Sequence, residues 1–209
     1  VHDGTAAFAS RGLVLSFFGK SSHASQPENG HNPARAISKL IIDIPELTAR
    51  EEHRGIVMAT VVCVRIGEEA FGTNAGFGQL MLTIRAEFES ELDALDAEIC
   101  ARARAYARQD GITNVEVQYR DSFPETRNTP DAVAAVRKAR LECGLPEAHW
   151  DEPFRSSEDF GCYTKLTSGA LFYIGCGTRH AKLHTREYDF NDEIIEPAVD
   201  MMFRLAQDA

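Results

Sequence analysis

The chain has 209 residues, of which 44% are hydrophobic, and a formal charge of −10, so it holds enough apolar material for one large core or two small ones. Its 22 Lys and Arg stand against 32 Asp and Glu and form no basic stripe, which argues against nucleic acid and anionic membrane surfaces as partners. No apolar run approaches the roughly 20 residues that span a bilayer, and Val1-His2-Asp3-Gly4 lacks the features of a signal peptide.

The missing initial methionine reads as processing or as a piece of something longer. Cys63, Cys100, Cys143, Cys162 and Cys176 are odd in number and contain no Cys-x-x-Cys pair. They read as reduced thiols of a cytoplasmic protein, not as a disulfide frame or a thiolate zinc site.

In chain order, Leu13–Phe18 is an apolar strand closed by Gly19. Asn32 caps a helix whose first residue is Pro33, with Ala36, Ile37, Leu40 and Ile41 at helical spacing until Pro45 stops it. Ile56–Ile66 is a Val- and Thr-rich strand, and Leu80–Arg85 the next, after the Gly-rich stretch from Gly67 to Gly78. Ser90 and Asp93 stand at capping-box spacing before a helix with Leu92, Leu95 and Ile99 on one face, closed by Gly111. Val115, Val117 and Tyr119 then alternate as a strand. Strand, helix, strand, strand, helix, strand is the split βαβ order of a ferredoxin-like sandwich, here over residues 12–122.

Phe123 to Asn128 reads as a linker. Beyond it, Thr129 caps a helix begun by Pro130 that ends at Gly144-Leu145-Pro146, and Ser156–Phe160 resembles a short helix start. Ala170–Ile174 reads as a buried strand, and Ile194, Ile195, Val199, Met202 and Leu205 line a final helix. A lone strand leaves backbone donors and acceptors unpaired, so the tail should belong to a sheet whose other strands lie outside it.

Chemistry is concentrated in a few places. His23 lies among small residues on a corner between a strand and a helix, where a ring nitrogen can meet a substrate oxygen or simply serve the turn. His180 and His184 have the i, i+4 spacing of a helical zinc pair, but Ile174-Gly175-Cys176-Gly177-Thr178 marks a strand running into a loop, so only His184 stands as a candidate ligand. Arg85 ends an apolar strand, where its fork could hold a carboxylate, and Asn74 could donate its amide to the same ligand. Each has a plain structural alternative, as a strand-end ion pair and a turn residue. Glu158 and Asp159 read best as first-turn acids complementing a helix dipole.

Taken together, Gly19-x-x-x-His23-Ala24-Ser25-x-Pro27 with Gly30-x-Asn32-Pro33-Ala34, then Leu82-Thr83-Ile84-Arg85, Ser157-Glu158-Asp159-Phe160 and Leu183-His184-x-x-x-Tyr188-Asp189-Phe190-x-Asp192 resemble the zinc-dependent aminoacylase and carboxypeptidase G-type amidohydrolases and metallopeptidases. The similarity is greatest to the N-acyl-amino-acid amidohydrolase branch, with hippurate and auxin-conjugate hydrolases. The resemblance implies an α/β (α+β) chain. Residues 1–11 end an N-terminal catalytic segment, 12–122 form a ferredoxin-like βαββαβ lid that dimerises the protein, and 123–209 form the C-terminal part of a zinc-exopeptidase catalytic domain. It implies a catalytic role for His23, which would reach the partner subunit's active site and stabilise an oxyanion. It further implies substrate-binding roles for Asn74 and Arg85, His184 as the last metal ligand, and a small N-acyl amino acid or peptide as substrate. Two divalent ions, zinc or else manganese or cobalt, would complete the site.

The segments that carry the other metal ligands and the general base in this family precede Val1. His2 is a tempting remnant ligand, but it falls in what aligns with the strand just before the lid. Ala75-Gly76-Phe77-Gly78 replaces a proline-containing stretch after Asn74. The expectation is therefore an isolated chain that is catalytically silent and binds no metal stably. The rival reading is a non-catalytic ferredoxin-like dimerisation or regulatory module.

Overall fold

The computed structural model describes residues 1–148, 152–178 and 180–207. Along the chain the elements are β1 (Gly4–Ala7), β2 (Ala9–Phe18), β3 (Ser22–His23), α1 (Ala34–Thr48), β4 (Val57–Ile66), β5 (Thr73–Asn74), β6 (Phe77–Ala86), α2 (Glu89–Gln109), β7 (Asn114–Phe123), β8 (Thr126–Asn128), α3 (Pro130–Glu142), α4 (Gly161–Thr164) and α5 (Ile195–Gln207). They fall into two compact units, one of residues 8–125 with 155–158, the other of residues 1–7, 126–154 and 159–209. The chain is mixed α/β, and no helix among the described residues is long and apolar enough to cross a membrane.

The first unit is a four-stranded antiparallel sheet in the order β4-β6-β2-β7, the order a split βαβ pair produces. Period-two alternation drives it. Leu13, Leu15 and Phe17 of β2 and Leu80, Leu82 and Ile84 of β6 point to one face and are fully or almost fully buried. That face is covered by Ile37, Leu40, Ile44 and Leu47 of α1 and by Leu92, Leu95, Ile99 and Ala103 of α2, in one apolar cluster. Each such Leu, Ile or Phe contributes about 1.5–3 kcal/mol by leaving water.

Three helix boundaries differ from the sequence reading. Pro45 does not stop α1, which continues to Thr48. Ile44 and Leu47 on either side of Pro45 are 5% and 1% exposed, and burying both offsets the roughly 3 kcal/mol that a helical proline costs. Ser90 does not cap α2, which begins at Glu89. A Glu125 carboxylate oxygen accepts the Glu89 N–H at 2.9 Å instead, and the Ser90 hydroxyl accepts from Arg54. Asn32 does not occupy the N-cap of α1, which is Pro33 with the helix starting at Ala34, but from one position earlier its side chain accepts the Ala34 N–H at 2.8 Å.

An ionic cluster fixes the flank of this unit. Arg11 reaches Asp96 at 2.5 Å and Asp93 at 2.9 Å and lies over the Tyr119 ring. The Cys100 thiol donates to Asp96, and its pKa is pushed up to about 12, first by burial and then by that carboxylate. It is therefore an inert thiol.

In the second unit, the stretch read as a linker contains β8, which pairs antiparallel with β1 as Gly4 with Asn128 and Thr5 with Arg127. Small residues make this possible: Ala6 and Ala7 are 1% and 0% exposed. Helices α3 and α5 meet over Val136, Ala139 and Met201, with Ala170, Phe172 and Leu205 packed partly against them. Ala170–Ile174 joins no ladder, contrary to its strand-like composition. The Asn128 side chain takes the place of a neighbouring strand at one point, accepting the Leu171 N–H at 2.8 Å and donating to the Leu171 carbonyl at 3.0 Å. Ser156–Asp159 precede α4 rather than starting it, so Glu158 and Asp159 are not in its first turn.

Candidate functional site

The corner after β2 is built by a backbone crossing. Gly19 N–H donates to Gly76 O at 2.7 Å, and Lys20 and His31 exchange both backbone hydrogen bonds. A Cβ on Gly19 would overlap the His31 carbonyl, and one on Gly76 would overlap the Ser21 amide, so this crossing requires glycine at both places. It delivers β3 beside β5, with Ser22 opposite Asn74 and His23 opposite Thr73.

His23 is exposed, and its ring is held from behind. Ser25 donates its backbone N–H to His23 Nδ1 at 3.2 Å, and the Ser25 hydroxyl stands 2.7 Å from the same atom. A nitrogen that accepts an amide proton carries the lone pair, which assigns the proton of the neutral ring to Nε2. Nε2 has no hydrogen-bond partner among the described residues. The ribbon thus presents an oriented N–H donor to whatever approaches it.

Asn74 is part of that ribbon, and its side chain is committed to it. Its Oδ1 accepts from Asn32 Nδ2 at 2.8 Å, and its Nδ2 donates to Ser22 Oγ at 3.0 Å and to Pro27 O at 3.4 Å. Asn32 in turn is anchored to the first turn of α1. This amide chain runs from a helix N-terminus to the residue before His23. Sequence alone gives Asn32 and Ser25 as motif residues and assigns neither them nor Ser22 a part in holding His23. A hydroxyl two residues from a histidine, at Ser25, is the local signal that was available.

Arg85 is elsewhere. It is one residue short of the far end of β6, and at about 3.3 Å per residue the span from Phe77 to Arg85 is roughly 26 Å. Its guanidinium donates to Ser157 Oγ at 2.7 Å and to the Arg155 carbonyl at 3.1 Å. His23 and Asn74 are therefore brought together on the two-stranded β3-β5 ribbon, and Arg85 is held near the far end of β6 in the four-stranded sheet. Within one chain, Asn74 and Arg85 do not meet on one ligand.

His184 is in the second unit, exposed, in a turn where Thr185 donates its N–H and its hydroxyl to Lys182 O. Its φ is +64°, a left-handed conformation that costs an L-residue about 1–2 kcal/mol. Neighbouring His180 sets its Nδ1 against the Ala181 carbonyl at 2.9 Å, and neither residue is helical. Among the described residues no three His, Cys, Asp or Glu side chains are grouped to hold a metal ion. A zinc site needs at least three protein ligands, so these residues alone do not fit a metal pair.

A ferredoxin-like α/β unit bearing an exposed histidine ribbon, followed by a second α/β unit, is the class these features define. The sequence model of peptidase family M20/M25/M40 matches residues 6–208, and the chain belongs to that family. It is 26% identical over 198 residues to an N-acetyldiaminopimelate deacetylase of Bacillus licheniformis, covering 91% of this chain and 50% of that protein. It is 22% identical over 195 residues to a hippurate hydrolase of Campylobacter jejuni, covering 92% and 50%.

In fold it is similar to a putative aminohydrolase from methicillin-resistant Staphylococcus aureus, with a TM-score of 0.81 at 18% identity over 98% of this chain and 52% of that one. It is likewise similar to a dinuclear metal-binding M20 peptidase from Bacillus subtilis, with a TM-score of 0.75 at 17% identity over 99% and 51%. The chain spans about half the length of the relatives it matches.

Proposed function

We propose that the chain is the lid and C-terminal portion of a metal-dependent amidohydrolase or peptidase that cleaves the amide bond of N-acyl amino acids or small peptides. Its boundaries would fall near residues 12 and 122, and it would act as a cytoplasmic homodimer. The observation that carries this reading is the His23 ring, whose Nδ1 is occupied by Ser25 and whose Nε2–H is left to donate. When water adds to an amide carbonyl, the C=O π pair moves onto oxygen, and a donor already aimed at that oxygen is worth about 2.7–4 kcal/mol. Relatives named for acetyl and benzoyl substrates support the amide class and leave the acyl group open.

The roughly 26 Å from Phe77 to Arg85 along β6 supports a division of labour across a dimer. Arg85 grips the substrate carboxylate in its own subunit's site, and His23 serves the partner's site. Asn74, with its amide oxygen and nitrogen both engaged, positions the ribbon. His184 would supply a single metal ligand. The isolated chain, incubated with zinc and N-acetyl or N-benzoyl amino acids, is expected to release no free amino acid, and appreciable turnover would overturn the division.

In the full-length enzyme, His23→Ala is expected to lower kcat by about 10²–10³ with little change in KM, and Arg85→Ala to raise KM. Mixing the two crippled proteins and allowing subunits to exchange should restore about a quarter of wild-type activity. Half of the random dimers are mixed, and one of the two sites in each keeps both groups. No recovery would place both residues in one subunit's site and sink the dimer reading.

A further inference from the structure

Phe71 is 97% exposed, more than any other large apolar side chain among the described residues. It lies at the tip of the turn joining β4 to β5, and that turn is not slack. Gly67 takes a φ of +62° to enter it. Ala70 N–H donates to Glu68 O at 2.8 Å, Thr73 N–H to Ala70 O at 3.0 Å, and Ala24 N–H to Gly72 O at 2.9 Å. The last bond ties the turn to the residue following His23, and Thr73 pairs with His23 itself. Strand spacing and rise place the Phe71 and His23 Cα atoms within about 12 Å of each other. One hydrogen-bonded ribbon thus carries an oriented imidazole N–H and a bare aromatic ring.

Its neighbours in the turn are Glu68, Glu69, Ala70 and Gly72, none of them a large apolar side chain. A single phenyl is far too small for a stable protein interface, and it is the right size for one ring or alkyl group. On the reading proposed above, His23 serves the carbonyl oxygen, and that carbonyl belongs to the acyl half of the substrate. The carboxylate half is already assigned to Arg85. Glu68 and Glu69, both exposed, would repel an anionic acyl group.

We infer that Phe71 is a specificity-determining residue that packs against the acyl group of the substrate whose carbonyl His23 serves, selecting neutral aromatic acyl groups over acetyl and over anionic ones. The inference rests on the proposed amidohydrolase function and goes one step beyond it.

The test compares kcat/KM of the full-length enzyme on N-benzoyl, N-acetyl and N-succinyl forms of one amino acid, for wild type, Phe71→Ala and Phe71→Leu. Phe71→Ala should lower the N-benzoyl value about tenfold and leave the N-acetyl value within about twofold, with Phe71→Leu between. The dissociation constant of an N-benzyl amino acid, which lacks the scissile carbonyl, should weaken in parallel. Glu68→Gln with Glu69→Gln should raise the N-succinyl value. Because the side chain is bare, the thermal midpoint should not move. An equal loss on all three substrates would make Phe71 a protein contact, and no loss would make it idle; either outcome overturns the inference while leaving the amidohydrolase reading intact. A wild-type enzyme that cleaves none of the three would overturn both.

Discussion

In the unit of residues 8–125 with 155–158, two amphipathic helices close one face of a four-stranded sheet. Phe17, Leu15, Leu82, Ile84, Leu40 and Ile99 all lie at 2% exposure or less. In the unit of residues 1–7, 126–154 and 159–209, the buried residues of the apolar cluster among the described residues are Val136, Ala139 and Met201. There Val199, Met202 and Phe203 of α5 are each 60% exposed, and Leu166 is 87% exposed. Both units obey the same helix and strand periodicities, but only the first covers its main apolar sheet face with a second layer. Amphipathic pattern in a sequence therefore reports the burial a segment is built for, and the burial it obtains depends on having a partner surface.

The largest expected effect breaks the well-covered unit. Phe17→Ala should cost about 3–5 kcal/mol, the transfer free energy plus the cavity left beneath both helices. In peptide-resolved hydrogen exchange, β2, β6 and α2 amides should lose most of their protection together. The contrasting expectation is that wild-type peptides from 170–176 and 195–207 of the isolated chain exchange fast at the outset, because their apolar groups are half exposed and 170–174 joins no ladder. Equal protection across the two units would end the comparison.

The sequence was legible wherever local chemistry and tertiary packing agree. The β2-α1-β4-β6-α2-β7 order follows from alternation and helical spacing, and the sheet order follows from connectivity. The errors fall where a distant residue decides. Pro45 continues α1 because Leu47 is buried against the sheet, and α2 is capped by Glu125, 36 positions from Glu89. β8 exists because residues 4–7, at the other end of the chain, lie beside it. The site divides in the same way. His23 was visible among small residues on a glycine-bounded corner, whereas the commitment of Asn74 to Ser22, Pro27 and Asn32 needs three segments in register. The roughly 26 Å span of β6 from Phe77 to Arg85 could not be read from the 10 positions between Asn74 and Arg85 in the sequence.

A smaller effect sharpens the comparison inside the better-packed unit, between its core and its ribbon. Asn74→Ala removes the pin between Asn32 and Ser22 and should cost about 1–2 kcal/mol, confined to residues 20–32 and 70–76 in hydrogen exchange. In the full-length enzyme, loss of the pin misplaces His23, so kcat should fall several-fold while KM stays nearly constant. A raised KM at constant kcat would make Asn74 a substrate ligand instead.

The smallest effect concerns charge. Between α1 and α2, Arg102 donates to Asp43 at 2.8 Å and to Glu98 at 2.8 Å, and the Tyr106 hydroxyl donates to Asp43 at 2.5 Å. Burial acts to raise the Asp43 carboxyl, but the hydrogen bonds from Tyr106 and Arg102 outweigh it and hold Asp43 below its ordinary 3.8. The hydrogen bond from Arg102 likewise holds Glu98 below 4.5. Folded values below unfolded ones mean that the unfolded chain binds more protons. The stabilisation is therefore complete above about pH 5 and is lost as pH falls through the folded values. With Glu98 39% exposed and Arg102 24% exposed, screening limits each pair to under about 1 kcal/mol.

In the second unit, Asp131 is also held low, at about 2, chiefly by the Ser168 hydroxyl, but it is fully open to solvent and offers no comparable contribution. Urea midpoints followed from pH 6 to pH 3 should therefore fall less steeply for Arg102→Gln than for wild type, and only in signals from the first unit. Parallel curves for the two proteins would mean that the α1–α2 contact is held by its apolar face alone.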